Sequence, residues 1–442
     1  MNTESENYKR QQEIFLVAVE MESPEERASY LEEGCGGDTA LRDALEVLVR
    51  EYQEAGETNL GEEETFESFE PKLEKPGTMI GRYKILERIG EGGFGVVYMA
   101  EQTEPVVRRV ALKVIKPGMD SKEIIARFEA ERQALAMMDD PNIARILDAG
   151  ATESGRPYFV MELVKGIPIT QFCNDRCLDT RQRLGIFLDV CSAVQHAHQK
   201  GIIHRDLKPS NILVTLRGDK PVPKVIDFGI AKATQQQLTD KTLFTRFHQF
   251  VGTPVYMSPE QAALSELDID TRSDIYALGV LLYELLTGNP PFDAKSLISA
   301  GYDEMRRVIR EDEPPKPSAR LGTTHGEERV ILAKEHCADP NRLDRLVRGD
   351  LDWSVMKAIE KDPARRYETA NGFGEDVRRH LNNEPVIAAA PTVRYKVQKF
   401  VRRNRGAVTA AATISLLLIV GIAAIMWFAI RANSNWTLAQ AN

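Results

Sequence analysis

A run of 24 residues without a charge, 407–430, restricts the structure of this chain more than any other feature. Its only polar side chains are Thr409, Thr413 and Ser415. As a helix that rises ~1.5 Å per residue, the run extends ~36 Å, enough to cross a hydrocarbon layer ~30 Å thick. Core helices of soluble proteins rarely contain so long an apolar run, and a hairpin within one leaflet needs a central proline break. The sequence therefore predicts one transmembrane helix over 407–430.

The two flanks of this run differ in charge. The flank before the run, within 386–406, is basic, whereas Arg431 is the single basic residue after the run. The basic residues that we count on the first flank are Lys396, Lys399, Arg402, Arg403 and Arg405. Positive residues tend to stay in the cytoplasm. We therefore expect a cytoplasmic juxtamembrane segment, 386–406, and a short extracytoplasmic tail, 431–442. The first residues lack the apolar core of a secretory signal, which agrees with this orientation.

Composition limits the possible classes of protein. With 442 residues, 43% of them hydrophobic and 28% charged, the chain is expected to fold into two or three globular units. A net charge of −9 argues against nucleic acid as a partner, because binding to phosphate backbones favours a basic surface. The cysteines have no zinc-like spacing and are predicted to be free thiols: Cys35, Cys173, Cys177, Cys191 and Cys337.

Residues 1–55 are predicted to form a small helical module. A capping box formed by Ser23 and Glu26 opens one helix, and Asp38 can cap the next. Residues 56–79 are acidic and poor in aliphatic side chains, so they are predicted to be a linker.

From about residue 80 the hydrophobic pattern becomes that of strands and later that of helices. The predicted strands are 83–90, 96–102 and 108–115. Beyond about Ser121 the apolar residues recur at helical spacing. A β-rich lobe followed by a helical lobe is an α+β arrangement, in which ligands tend to bind in the cleft between the lobes.

A glycine-rich segment follows the first predicted strand of this region. It fits the pattern G-x-G-x-x-G and consists of Gly90, Glu91, Gly92, Gly93, Phe94 and Gly95. A dinucleotide site needs a helix after the last glycine and an acidic residue ~20 positions later. Here Val96 and Val97 continue as a strand, and Lys113 lies downstream. The pattern therefore predicts a hairpin whose backbone N–H groups cover phosphates.

The most specific motif is H-R-D-L-K-P-S-N at 204–211. Five fixed letters of this kind arise by chance in roughly 1 in 10,000 chains of this length. Asp206 can accept the proton of a substrate hydroxyl, and Asn211 can help to hold magnesium. Asp227, in a downstream D-F-G, supplies a second oxygen ligand of the kind that magnesium prefers.

Taken in order, these motifs resemble those of the protein-kinase family, specifically the transmembrane, eukaryotic-like Ser/Thr kinases of bacteria, over about residues 80–385. The resemblance implies the two-lobed protein kinase fold, an α+β structure with a β-rich N-lobe and an α-helical C-lobe. It implies a membrane-anchored enzyme that transfers the γ-phosphate of ATP to Ser or Thr hydroxyls of proteins and uses Mg²⁺. It also implies self-association during autophosphorylation.

The resemblance assigns roles by motif position. Lys113 is expected to bind the α- and β-phosphates and to pair with Glu131. Asp206 is expected to be the catalytic base, with Lys208 on the γ-phosphate. The expected magnesium ligands are Asn211 and Asp227. Besides Lys113 and the glycine-rich segment, the residues expected around ATP are Ile89, Val96, Val97, Ala111, Met161, Glu162, Val164 and Leu213.

Further matches in the C-lobe concern regulation and support. Glu260, in an S-P-E variant of the usual A-P-E, is expected to pair with Arg366, and Asp274 is expected to brace the catalytic loop. Arg205 precedes the catalytic Asp and can bind a phosphate on the activation loop; the candidate phosphorylation sites are Thr242 and Thr245.

Two alternatives to an active protein kinase remain. A pseudokinase scaffold requires the loss of Lys113, Asp206 or Asp227, and all three are present. A small-molecule phosphotransferase of related fold has no need of the S-P-E segment. An insertion at about 311–350 exceeds what a minimal kinase needs, and its His325 and His336 are predicted to be solvated.

Overall fold

The computed structural model divides into two units, Met1–Lys72 and Leu73–Asn442. It describes residues 18, 21, 24–35, 42, 74–91, 95–116, 137–228, 254–263, 269–299, 301–340, 342–390 and 392–440. In the first unit, helix α1, Pro24–Cys35, begins next to the predicted capping box. The predicted second helix, after Asp38, lies outside the described residues.

The N-lobe is built on an antiparallel sheet of six strands in the order β1-β2-β3-β4-β6-β5. Its strands are β1, Met79–Ile80; β2, Tyr83–Glu91; β3, Gly95–Gln102; β4, Arg108–Ile115; β5, Ile146–Ala151; and β6, Pro157–Glu162. One face of the sheet packs into a core that includes Tyr83, Tyr98 and Leu112. The three strands predicted from sequence are confirmed.

A second sheet, of three short strands, lies in the part of the chain that carries the catalytic motif. Its order is β7-β8-β9, with β7 at Ile167–Pro168, β8 at Ile212–Arg217 and β9 at Lys220–Val225. Helix α2, Ile169–Asp175, follows β7 directly, and helix α3, Thr180–Gln199, comes next. The segment from α3 to β8 contains residues 204–211, so a helix and a strand fix the two ends of that segment.

The C-lobe forms around helix α5, Thr271–Thr287, most of whose side chains are buried. The other helices of this lobe are α4, Pro259–Ala262; α6, Ala294–Ser299; α7, Tyr302–Glu311; α8, Pro317–Thr323; α9, Gly326–Glu335; α10, Leu343–Val347; α11, Asp350–Ala358; and α12, Ala370–Leu381. At Gly279, α5 lies against the end of α11, where an added Cβ would meet the Ile359 side chain at 2.6 Å. Only glycine permits this close packing.

The insertion at 311–350 forms helices α8 to α10, which pack onto the C-lobe core through Leu321, Leu332 and Leu343. The prediction that His336 is solvated is wrong, because this packing leaves the side chain buried. Burial lowers the pKa of His336 to about 3, and the positive charge of Arg183 acts in the same direction. His325 is exposed, as predicted.

Two helices end the described chain: α13, Val393–Arg403, and α14, Arg405–Gln440. Helix α14 contains a segment, Arg405–Trp427, that is long and apolar enough to cross a membrane, with a mean hydropathy of 2.5. None of its most apolar window is buried in the protein. Helix α14 includes the run 407–430 that the sequence predicts to be transmembrane. The length and apolar composition of this helix support that assignment.

Candidate active site

The catalytic loop takes its shape from a buried carboxylate. Asp274, near the start of α5, accepts hydrogen bonds from the backbone N–H groups of His204 and Arg205, both at 2.8 Å. The His198 ring nitrogen Nε2 lies 2.8 Å from the same carboxylate. Burial alone raises the pKa of Asp274, but the hydrogen bond and charge of His198 and the proximity of His204 outweigh it, so the pKa is lowered. The predicted bracing by Asp274 is confirmed, and Arg205 is held at a φ of 63°.

Within this loop, three side chains of the 204–211 motif meet. The Lys208 ammonium lies 2.9 Å from Oδ2 of Asp206. Asn211 Nδ2 donates to the Asp206 backbone oxygen at 2.8 Å and to its Oδ2 at 3.1 Å. Because two side chains contact Oδ2 of the Asp206 carboxylate, its orientation is fixed before any substrate binds.

The D-F-G segment places a second carboxylate beside this loop. The Ile226 N–H donates to the Asn211 backbone oxygen at 2.8 Å, which joins the two segments. Phe228 is buried, with its ring 4.6 Å from that of His204. Asp227, at a φ of 59°, forms an ion pair with Lys113 of strand β4. The structure thus joins Lys113 of the N-lobe to the D-F-G segment, which is hydrogen-bonded to the catalytic loop.

The oxygen atoms of Asn211 and Asp227 suit magnesium. Both hydrogen bonds of the Asn211 side chain to Asp206 use Nδ2, so neither occupies its oxygen Oδ1. The ion pair of Asp227 uses Oδ1. No group of three or more His, Cys, Asp or Glu side chains able to hold a metal occurs among the described residues. Two protein ligands are nevertheless sufficient for Mg²⁺, which usually completes its octahedron with substrate phosphates and water.

Part of the predicted phosphate site is described. At Gly95, an added Cβ would lie 2.6 Å from the Val114 backbone oxygen, so strand β3 requires glycine there. Glu91 pairs with Lys116 at 2.8 Å and with Arg88 at 2.6 Å. Gly92, Gly93, Phe94 and Glu131 lie outside the described residues, so the predicted Lys113–Glu131 pair stays a prediction.

The predicted adenine site lies along strands β3, β4 and β6. Ala111 is paired with Met161 across the sheet, and both are largely buried in the core that continues into the C-lobe. Val97 packs against this core, whereas Val96 belongs to the separate core of the N-lobe sheet. Of the two valines, therefore, Val97 has its side chain on the cleft side.

The remaining residues expected around the adenine lie near the edges of the same region. Ile89, in β2, is 47% exposed, while Val164 and Leu213 are partly buried. Behind Met161 a cavity runs inward to Lys113, Asp227 and Phe228. Met161 therefore lines the same cavity as Lys113 and Asp227, and its role beside the adenine stays a prediction.

Sequence reasoning missed one contact of the hinge, the segment 162–164 at the end of β6. The Lys224 ammonium, at the end of β9, lies 2.8 Å from the Glu162 carboxylate. Lys224 precedes Asp227 by three residues, so this ion pair joins the hinge to the strand that leads into D-F-G. A lysine within a strand is ordinarily solvated, and nothing in its sequence neighbourhood indicates this partner.

The expected peptide-binding side of the C-lobe is held by a buried ion pair. Arg366 forms two bonds with the Glu260 carboxylate, at 2.7 and 2.8 Å, which confirms the predicted pair. Gln261, beside Glu260 in α4, donates from Nε2 to the Arg205 backbone oxygen at 2.9 Å. The S-P-E segment is thereby tied to the catalytic loop. Thr242 and Thr245 lie outside the described residues.

Comparisons with known proteins agree with this geometry. Residues 83–363 match the protein kinase domain family. The serine/threonine-protein kinase pkn3 of Myxococcus xanthus is 37% identical over 320 residues, which cover 71% of this chain and 55% of that protein. The serine/threonine-protein kinase PknB of Mycobacterium leprae is 34% identical over 315 residues, which cover 70% of this chain and 44% of that protein.

The chain spans about half the length of these relatives, or less. Among solved structures, the PknI kinase domain of Mycobacterium tuberculosis superposes with a TM-score of 0.49 at 27% identity, covering 70% of this chain and 99% of that one. The family match extends over most of the chain and includes each lobe, the catalytic loop and D-F-G. The chain therefore belongs to the protein kinase family.

Proposed function

We propose that this protein is a serine/threonine protein kinase, which transfers the γ-phosphate of ATP to Ser and Thr hydroxyls of protein substrates. The observation that carries the proposal is a pair of side-chain groups, Asp206 with Lys208 and Asn211, and Asp227 with Lys113 of the N-lobe. A backbone hydrogen bond between the residue next to Asp227 and Asn211 joins the two groups. The Ser/Thr specificity is supported by Lys208 in the D-L-K-P-S-N sequence and by the names of the relatives.

In this proposal the protein acts mainly by positioning and by charge. Asp206 accepts the proton of the substrate hydroxyl, whose oxygen attacks the γ-phosphorus while the bond from that phosphorus to the β–γ bridging oxygen breaks and ADP leaves. Lys208 stabilises the charge on the transferred group. Lys113 holds the α- and β-phosphates. Asn211 and Asp227 hold Mg²⁺, which when bound neutralises charge on the phosphates. Phosphoryl transfer requires little covalent participation by the protein, so a preorganised set of this kind is sufficient.

The two alternatives fit the structure less well. A pseudokinase has no requirement for an Asp206 carboxylate held by two side chains, and that carboxylate is so held here. A small-molecule phosphotransferase needs no connection between the S-P-E segment and the catalytic loop, whereas Gln261 makes that connection.

The decisive experiment compares Asp206→Asn with the unaltered protein in ³²P transfer from ATP to a generic protein substrate. Asparagine has nearly the same shape but cannot accept the proton, so transfer should fall ~10²–10⁴-fold while ATP binding persists. Asp219→Asn, in the exposed turn between β8 and β9, is the matched control and should have no effect. Near-normal turnover by Asp206→Asn would refute the assignment.

We also propose that α14 crosses the membrane once, with the kinase domain in the cytoplasm. The proposal is supported by the length and apolarity of Arg405–Trp427 and by the basic residues that precede it. Carbonate extraction should leave the protein in the membrane fraction. Protease added to spheroplasts should leave the kinase domain intact; digestion of that domain with survival of a C-terminal tag would reverse the orientation.

A further inference from the structure

The juxtamembrane helix α13 is attached to the C-lobe by a buried polar cluster. Asp350, at the start of α11, accepts a hydrogen bond from the Tyr395 hydroxyl at 2.8 Å and forms an ion pair with Lys399. The His380 ring nitrogen Nδ1 lies 2.9 Å from the same carboxylate. The side chains of Asp350 and Lys399 are 8% and 7% exposed. Lys399, one of the basic residues counted on the flank before the predicted transmembrane helix, therefore binds a carboxylate of the C-lobe.

Further contacts make this a specific interface. The Tyr395 ring meets Trp353 edge to face, with 5.5 Å between ring centroids. The Tyr395 hydroxyl also accepts a hydrogen bond from the Val386 N–H at 3.1 Å. Arg403, at the end of α13, lies 3.3 Å from Glu384. One face of α13 is thus fixed to the C-lobe along most of its length.

The opposite face of α13 is apolar and exposed. Its exposed apolar side chains are Val393, Val397, Phe400 and Val401, at 77%, 55%, 56% and 40% exposure. At ~100° per residue they fall within an arc of ~100°. The centre of that arc is about 170° from the midpoint of Tyr395 and Lys399. The helix therefore presents a continuous apolar stripe directly away from the C-lobe.

Basic side chains border this stripe, and α13 has no acidic residue. Arg394 lies on one side of the stripe and Lys396 on the other, and both are exposed. Arg402 is exposed as well. An apolar stripe between exposed cations is the pattern of a helix that lies in the plane of an anionic membrane surface.

The connection to α14 permits this placement. Asn404 leaves helical geometry, with φ −113° and ψ 38°, so α13 and α14 are separate helices. The Asn404 N–H donates the last hydrogen bond of α13 to the Phe400 backbone oxygen at 3.0 Å. The Asn404 backbone oxygen accepts a hydrogen bond from the Val408 N–H, in α14, at 2.9 Å. The apolar stripe therefore ends at Val401, four residues before the start of a segment able to span the bilayer, Arg405–Trp427.

We propose that α13 lies on an anionic lipid bilayer, with Val393, Val397, Phe400 and Val401 among the outermost acyl-chain carbons. Arg394 and Lys396 then bind lipid phosphates, while Tyr395 and Lys399 hold the C-lobe on the far side of the helix. The proposal rests on the proposed membrane anchoring by α14. The three observations that carry it are the docked face, the opposite apolar stripe and the continuity with the membrane segment.

The test uses the full chain in lipid nanodiscs of phosphatidylcholine with ~30% phosphatidylglycerol. The fluorophore NBD is attached at Val397→Cys or, as the matched control one residue along, at Gln398→Cys, in a Cys337→Ser background because Cys337 is exposed. Gln398 is exposed as well and lies outside the stripe. Both labels sit at exposed positions, and retained kinase activity confirms that the labelled chains are folded.

We expect NBD at 397 to shift to shorter wavelength and to be quenched by doxyl-labelled lipid, with NBD at 398 remaining in water. If the chain enters the bilayer but both labels are equally exposed to water, the proposal for α13 is wrong while the membrane anchoring by α14 stands. This result is the one expected if the stripe binds a protein partner instead of lipid. Equal quenching in pure phosphatidylcholine overturns the requirement for anionic lipid. Failure of the chain to enter the bilayer overturns the anchoring itself.

Discussion

Arg366→Lys tests how much of the stability of the C-lobe depends on one guanidinium group. All five N–H bonds of Arg366 are used. Two go to the Glu260 carboxylate at 2.7 and 2.8 Å, and three go to the backbone oxygens of Glu360, Lys361 and Arg272 at 2.7, 3.1 and 3.0 Å. The Arg366 side chain is 0% exposed and that of Glu260 is 5% exposed, so water cannot replace these bonds.

The size of the effect follows from the donor geometry. A lysine ammonium has three donors on one atom and cannot form the parallel pair of bonds to the carboxylate. At least two of the five acceptors lose their partner, and each buried unsatisfied acceptor costs ~1–3 kcal/mol. We expect a loss of about 3 kcal/mol. Unfolding entropy of ~2.1 cal/mol/K per residue, over the 281 residues from 83 to 363, gives ~0.6 kcal/mol/K, so Tm should fall by about 5 °C.

Thermal unfolding of the full chain in detergent, followed by intrinsic fluorescence, measures this shift. Arg365→Lys is the matched control, because its side chain is 70% exposed and lies 3.8 Å from Glu360. A surface change of this kind alters stability by no more than ~0.5 kcal/mol, or about 1 °C here. A Tm for Arg366→Lys within 1 °C of the unaltered protein would refute the reasoning.

Three further results are expected. Mass spectrometry of autophosphorylated protein should find phosphate between Asp227 and Glu260, where Arg205 can pair with it; Thr245 is preferred because it lies seven residues before Gly252, and absence of phosphate there in a fully active sample contradicts this. Lys113→Met should lower transfer roughly 10²–10³-fold with the fold intact by circular dichroism, and a smaller loss would remove Lys113 from the phosphate site.

The third result concerns acid. Burial raises the pKa of Asp350, but hydrogen bonds from His380, Lys399 and Tyr395 outweigh it and hold the pKa at about 2. Because this lies below the ordinary value of ~3.9, the carboxylate contributes about 2–3 kcal/mol that is present above ~pH 4 and lost as the pH falls towards 2. The stability difference between the unaltered protein and Asp350→Asn should therefore shrink over that range, and a constant difference would contradict it.

Local sequence was sufficient for the catalytic loop, because Asp206, Lys208 and Asn211 lie within six residues and their contacts depend on one turn. Asp227 was also predictable, since the short hairpin of β8 and β9 returns the chain to the same place. Side chains alternate between the two faces of strand β3, so Val96 and Val97 pack into different cores. The motif alone does not distinguish the two valines.

What sequence reasoning missed depends on contacts between distant segments. Lys399 meets Asp350 across 49 residues, and Lys224 meets Glu162 across 62. A lysine in a basic or strand segment is ordinarily solvated, so the pattern gives no sign of such a partner. His336 is buried for a similar reason: the insertion packs onto the C-lobe core, and its charged composition hides that packing.

The attachment of α13 through Asp350 has a consequence for the choice of substrates. A kinase domain on a flexible linker samples a wide range of distances from the membrane. A kinase domain bound to a helix that lies on the bilayer, as proposed for α13, keeps its catalytic loop at a nearly constant distance from the membrane surface. Collisions then occur mainly within a thin layer beside the membrane. Proteins confined to that layer reach a high effective concentration, as in any intramolecular encounter. Breaking this attachment by Lys399→Met should therefore shift phosphorylation from membrane-bound towards freely diffusing substrates, which competition between tethered and soluble copies of one peptide would reveal.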